Sequence, residues 1–94
     1  MSRIQLTGTL ICANEAQAAV VATHLPRHLV LTRAEAGCIR FDVTPTDDPL
    51  VWDVAELFAT EDAFRAHQER VAASEWGSAT AGIERKYTIV ELAD

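Results

Sequence analysis

The chain has 94 residues, 49% of them hydrophobic and 23% charged, a globular composition that fits one small domain over 1–94. Fourteen acidic against eight basic side chains leave a formal charge of −6. No run of Lys or Arg interrupts that balance, which a phosphate backbone would repel, so a nucleic-acid partner is excluded from expectation.

The opening MSRIQLTGTL has no cationic segment ahead of an apolar one, so we expect no signal peptide. No apolar run approaches the length of a bilayer span, so no membrane partner is expected either. Within that opening, residues 3–12 alternate Ile4, Leu6, Gly8 and Leu10 against Gln5, Thr7 and Thr9, the period of a first strand. Asn14 offers an N-cap, with Gln17 three residues on in a capping-box position. The following helix carries Ala18, Ala22, Leu25 and Leu29 on one stripe. Pro26 removes a backbone donor, so we expect one helix to about Thr23 and a second stretch from Pro26 toward Arg33.

Gly37 suits a turn that needs positive φ. CIRFDVTP then alternates as a second strand with Ile39, Phe41 and Val43 on one side, and TPTDDP is turn chemistry. LVWDVAELFA is a third strand, with Trp52, Val54, Glu56 and Phe58 on one face and Val51, Asp53, Ala55 and Leu57 on the other. Both faces are largely apolar, so both are expected to be covered. Thr60 caps a second helix whose first turn holds Glu61 and Asp62, acids suited to the positive end of its dipole. On that helix Phe64, His67 and Val71 stack at i, i+3 and i+7, so an imidazole sits where a leucine would pack. SEWGSATAG reads as a short helical turn or loop, and IERKYTIVEL as the last strand.

The order β-α-β-β-α-β packs economically as a ferredoxin-like α+β sandwich, a four-stranded antiparallel sheet with two helices on one face. The uncovered face of the third strand then calls for a second copy, a homodimer joined sheet to sheet. Cys12 and Cys38 are too few for a disulfide framework and lack metal-site spacing. Both read as small buried hydrophobes in a reducing cytoplasm.

EAGCIRFDV (35–43), the DDP turn and AELFATEDAFRAHQ (55–68) together resemble the antibiotic biosynthesis monooxygenase family of dimeric α+β barrels. The resemblance implies a dimer with a pocket between sheet and helices in each subunit. It also implies oxidation of a small aromatic quinol or phenol by dioxygen, without metal or flavin. Other members of the family are isomerases. Ala36 stands where the family turn has Pro, and Phe58 where Trp is common. The haem-degrading branch of the fold is less similar, for the first strand has no Asn and no His follows His67.

Glu56 shares a strand face with Trp52 and Phe58, and His67 projects from the helix over that face. The two form a candidate acid–base pair, with His67 the base and Glu56 its support. The alternative is a structural pair in which each satisfies the other. Trp52, Phe58, Phe64 and Trp76 are the expected pocket walls, or else ordinary core residues. His24 and His28 make an H-x-x-x-H whose helical geometry Pro26 should spoil, with no third ligand in view. Arg40 and Asp53 alternate away from the helix-facing residues. Phosphate-cradling glycines, nucleophile motifs and flavin, haem or metal motifs are absent from the sequence, so the expected chemistry has no cofactor. The expectation is therefore a cofactor-independent monooxygenase. A non-catalytic small-molecule-binding dimer, or an isomerase of a small oxygenated metabolite, is the alternative.

Overall fold

The computed structural model describes residues 2–93. Four strands, β1 (Arg3–Ile11), β2 (Cys38–Pro45), β3 (Val51–Phe58) and β4 (Glu84–Leu92), form one antiparallel sheet in the order β2-β3-β1-β4. Helices α1 (Glu15–Arg33) and α2 (Glu61–Ala72) cross between strands, and a short α3 (Glu75–Ala79) follows α2. This is the expected βαββαβ ferredoxin-like arrangement with one added helical turn.

Cross-strand register explains which side chains meet. Leu6 lies opposite Glu56, Ile4 opposite Phe58 and Leu10 opposite Trp52, so the apolar set of β1 shares a face with the even-numbered residues of β3. On the other side of β1, Gly8 lies opposite Tyr87 and Leu10 opposite Arg85, which brings both β4 side chains to the same face. Gly8 is required here: a Cβ would lie 2.0 Å from the Lys86 carbonyl oxygen and 2.9 Å from Tyr87 Cα. The core over this face contains Leu6, Leu10, Val21, Leu25, Phe41, Val54 and Trp76.

Three local expectations need correction. First, α1 runs unbroken through Pro26. Pro26 and Ala22, whose carbonyl loses its i+4 donor, are both exposed, so water can satisfy the freed oxygen. Burial of Val21, Leu25, His28 and Thr32 holds both halves on one axis. Second, of the expected stripe Leu25 is buried and Ala18 and Leu29 pack against the core, but Ala22 is in solvent and His28 is in the core. Third, a bulge between Cys38 and Arg40 takes Ile39 out of register and leaves it 54% exposed, so it does not join Phe41 and Val43.

The caps follow the sequence. Asn14 accepts from the Gln17 amide while Gln17 Oε1 accepts from the Ala13 amide, and Thr60 accepts from the Ala63 amide. Both cysteines are free thiols, Cys12 buried and Cys38 half-buried. No helix among the described residues is long and apolar enough to cross a membrane.

Candidate functional site

Phe64, His67 and Val71 do face inward on α2, and His67 is the one residue of that helix to be fully buried, at 2% exposure. Its close partner is Glu35, which lies in the turn between α1 and β2. His67 Nδ1 stands 2.7 Å from Glu35 Oε1. Gly37 makes that approach feasible. Its φ of +85° carries the chain through the turn, and a Cβ there would sit 2.6 Å from the Cβ of Ala63, one helical turn before His67. The Gly37 carbonyl also accepts from the Ala59 amide at 2.8 Å, pinning the start of α2 to the turn. Arg70, the next basic residue on α2, donates to Thr32 Oγ1 at 2.9 Å and to Glu35 Oε1 at 3.3 Å. The turn and the helix are thus joined by a triad of the buried His67 with the half-buried Glu35 and Arg70.

A carboxylate only accepts, so Nδ1 carries the proton and Nε2 is left with its lone pair. Nε2 points toward Glu56, whose Oε1 lies 3.7 Å away. That is too long for a hydrogen bond, and Glu56 Oε1 is buried without a hydrogen-bond partner among the described residues. Burial, reinforced by the negative charge of Glu35, pushes the Glu56 carboxyl up to about 7. Burial lowers His67 in spite of the opposing pull of Glu35, so its imidazole is neutral at pH 7. The site therefore holds a neutral histidine with a free lone pair beside a carboxyl that titrates near neutrality.

Between them lies an inner chamber of about 50 Å³. Glu56 and Val54 floor it from β3, and Phe41 and Val43 line it from β2. His67 and Val71 close it from α2, and Arg85 and Tyr87 enter from β4. Arg85 is held by the Thr80 carbonyl at 2.8 Å, the Ile83 carbonyl at 3.0 Å and Thr80 Oγ1 at 2.7 Å. It faces the chamber as a half-buried cation with no carboxylate partner among the described residues. Burial raises the Tyr87 hydroxyl above its usual range.

His28 and Trp76 form the remaining wall, their rings stacked at 4.4 Å and 3° from parallel. Two hydroxyls set Trp76: Ser74 Oγ caps α3 at the Gly77 amide, and Thr80 Oγ1 donates to the Trp76 carbonyl. The indole therefore sits in a short helix rather than an irregular loop. Burial, with the charge His67 takes on at low pH and the positive Arg70 and Arg85 nearby, pushes His28 down to about 3. His28 is a stacked, neutral core ring, and it and His24 gain no third metal ligand among the described residues. No group of three or more His, Cys, Asp or Glu residues among those described is arranged to hold a metal ion.

Of the six residues singled out from sequence, Glu56, His67 and Trp76 border the chamber. Phe58 stands behind His67, with ring centroids 4.8 Å apart, and Phe64 packs on Phe58 at 5.6 Å. Trp52 is half-buried against the core, away from the chamber. Sequence reasoning missed Glu35, Arg70, Arg85 and Tyr87, and weighed His28 only as a metal ligand beside His24. Glu35 lay inside the EAGC turn itself, but only the tertiary fold brings it to a residue 32 positions away.

The fold is that of several solved structures. The cofactor-independent oxygenase SnoaB from Streptomyces nogalater superposes with a TM-score of 0.80 at 10% identity, covering 100% of this chain and 96% of that one. A Caulobacter crescentus protein, named provisionally as an antibiotic biosynthesis monooxygenase, gives 0.76 at 19% identity over 99% and 92%. A Nitrosomonas europaea protein with the same provisional name gives 0.76 at 20% identity over 94% and 95%. No curated protein matches the chain significantly. The sequence model of the antibiotic biosynthesis monooxygenases matches residues 9–78, which takes in the EAGC turn, all of β3 and α2 with His67, and the chain belongs to that family.

Proposed function

We propose that this protein is a cofactor-independent monooxygenase that oxidises a small aromatic quinol or phenol with dioxygen. The Glu35–His67 hydrogen bond carries the reading. It fixes the imidazole tautomer and aims the free lone pair of Nε2 at the chamber, the requirement for taking a proton from a phenol. SnoaB, similar in fold, bears the name of a cofactor-independent oxygenase.

In this mechanism Nε2 of His67 accepts the phenolic proton, and Glu35 stabilises the imidazolium that forms. The resulting oxyanion lies near the Arg85 guanidinium, whose charge has no competing carboxylate. The anion gives its electrons to dioxygen. One oxygen atom enters the ring and the other leaves as water, so a quinol becomes a hydroxyquinone without an external reductant. Glu56, with its carboxyl near neutrality, returns a proton to the reduced oxygen. The chamber of about 50 Å³ suits dioxygen or water, whereas a cavity that takes benzene measures about 150 Å³. Ring entry therefore requires the Trp76 side chain to move aside.

We also propose a homodimer joined through the open sheet face, where Val51, Ala55 and Leu57 are half-buried and Val90 is 40% exposed. Oxygen uptake by metal-free and flavin-free protein, over a panel of quinols and phenols, tests the main reading. Uptake by the wild type that is lost in a folded His67→Gln variant is the expected result. Turnover without oxygen uptake would point to the isomerase alternative, and ligand binding without turnover to a binding module.

A further inference from the structure

Outside the inner chamber, on the far side of the His28–Trp76 stack, a groove of about 720 Å³ runs between α1 and the α2–α3 turn. Its size is that of a small-molecule site rather than a packing defect. The two stacked rings border both spaces. His28 is 4% exposed and its Nδ1 is buried without a hydrogen-bond partner among the described residues. Such an orphaned ring nitrogen beside a cavity can hydrogen-bond a ligand's polar atom.

The charges along the groove run against the molecule. The chain carries −6, yet Arg27 and Arg70 line this groove against the single acid Glu75. Arg70 is already engaged with Glu35 and Thr32. Arg27 is exposed and makes no hydrogen bond or ion pair among the described residues, while Leu31 beside it adds apolar surface.

We propose that this groove binds a planar aromatic carboxylate, its anionic group on Arg27 and its ring against the His28–Trp76 stack. As a statement about the substrate this rests on the oxygenase reading, and it narrows the class to quinols or phenols that bear a carboxylate. A phenolic hydroxyl on the inner side of the ring meets His28 Nδ1. Movement of Trp76 then joins the groove to the chamber where His67 waits.

Calorimetry under nitrogen, with 2,5-dihydroxybenzoate and its neutral methyl ester as probes, tests the binding separately from turnover. The acid should bind the wild type at least about fivefold more tightly than the ester, the scale of one partly exposed ionic contact. Arg27→Gln, an exposed change that leaves the core intact, should abolish that preference and leave ester affinity unchanged. Amide chemical-shift changes on adding the acid should centre on residues 23–31 and 70–76. Equal binding of acid and ester, a preference that survives Arg27→Gln, shifts centred elsewhere or no binding at millimolar probe would each overturn the proposal. Oxygen uptake with 2,5-dihydroxybenzoate, itself a quinol, reports on the oxygenase reading. Its absence beside an intact acid preference would leave the groove assigned and the chemistry refuted.

Discussion

His67 illustrates how one side chain acquires a role from its neighbours. Its imidazole has two partners of unequal strength, Glu35 at 2.7 Å and Glu56 at 3.7 Å. Removing His67 leaves Glu35 with only Arg70, and His67→Ala should cost about 1–3 kcal/mol in urea unfolding. Double-mutant cycles should then rank the contacts, with a coupling of about 1–2 kcal/mol for His67 with Glu35 and well under about 1 kcal/mol for His67 with Glu56. The opposite ranking would show that Glu56 is the structural partner. For activity, Glu35→Gln is the informative change. A glutamine can donate to Nδ1 as well as accept, so the tautomer is no longer fixed. Oxidation rate should fall by about 10²-fold or more with KM little altered. An unaltered rate would remove Glu35 from the mechanism.

At the scale of the element, two backbone positions govern the site. Gly37→Ala forces a Cβ into the positive-φ region and against Ala63, at 2.6 Å before relaxation. It should destabilise by about 1–3 kcal/mol. Because α2 must then back away from the turn, the His67–Glu35 contact should lengthen and activity fall beyond the stability loss. Pro26→Ala should act in the other direction. The helix is continuous and the hydrogen bond that Pro26 cannot make lies on its exposed face, so alanine restores a donor at an unhindered place. Urea unfolding should show a gain of about 1–3 kcal/mol, whereas a loss would mean the proline shapes α1 in a way the fold depends on.

For the whole molecule the two largest displacements, those of Glu56 and His28, oppose each other. Glu56 keeps its proton to about 7 when folded, against its ordinary 4.5. Its contribution to stability is complete below pH 4.5 and is lost as pH rises through about 7. His28 resists protonation down to about 3 when folded, against its ordinary 6.5. Its contribution is complete above pH 6.5 and is lost as pH falls through about 3. Between pH 4.5 and 6.5 the slopes largely cancel. Glu56→Gln keeps a neutral side chain of the same shape and removes only the first titration. The variant should therefore gain on the wild type as pH rises from 4.5 to 8, by on the order of 3 kcal/mol. A pH-independent difference in thermal midpoints would place the Glu56 titration elsewhere. The proposed dimer belongs to this scale too: sedimentation of a stable monomer at micromolar concentration would remove it.

Periodicity, caps and turn residues determined the element types and their order, because these depend on contacts within a few residues along the chain. β1 and β3 alternate, Asn14 and Thr60 cap, and Phe64, His67 and Val71 share a helix face, all by local spacing. The same spacing placed Glu56 under the helices and marked His67 as an anomaly in an apolar stripe. What the imidazole pairs with was not local. Glu35 reaches it only because Gly37 lets α2 close on the turn, and Trp76 meets His28 only because α3 folds back onto α1. The continuity of α1 through Pro26 had the same origin, since a local penalty of about 3 kcal/mol yields to the burial of a stripe on both sides of it. Local chemistry thus determined which residues were available to the site, and long-range packing decided which of them came within hydrogen-bonding distance.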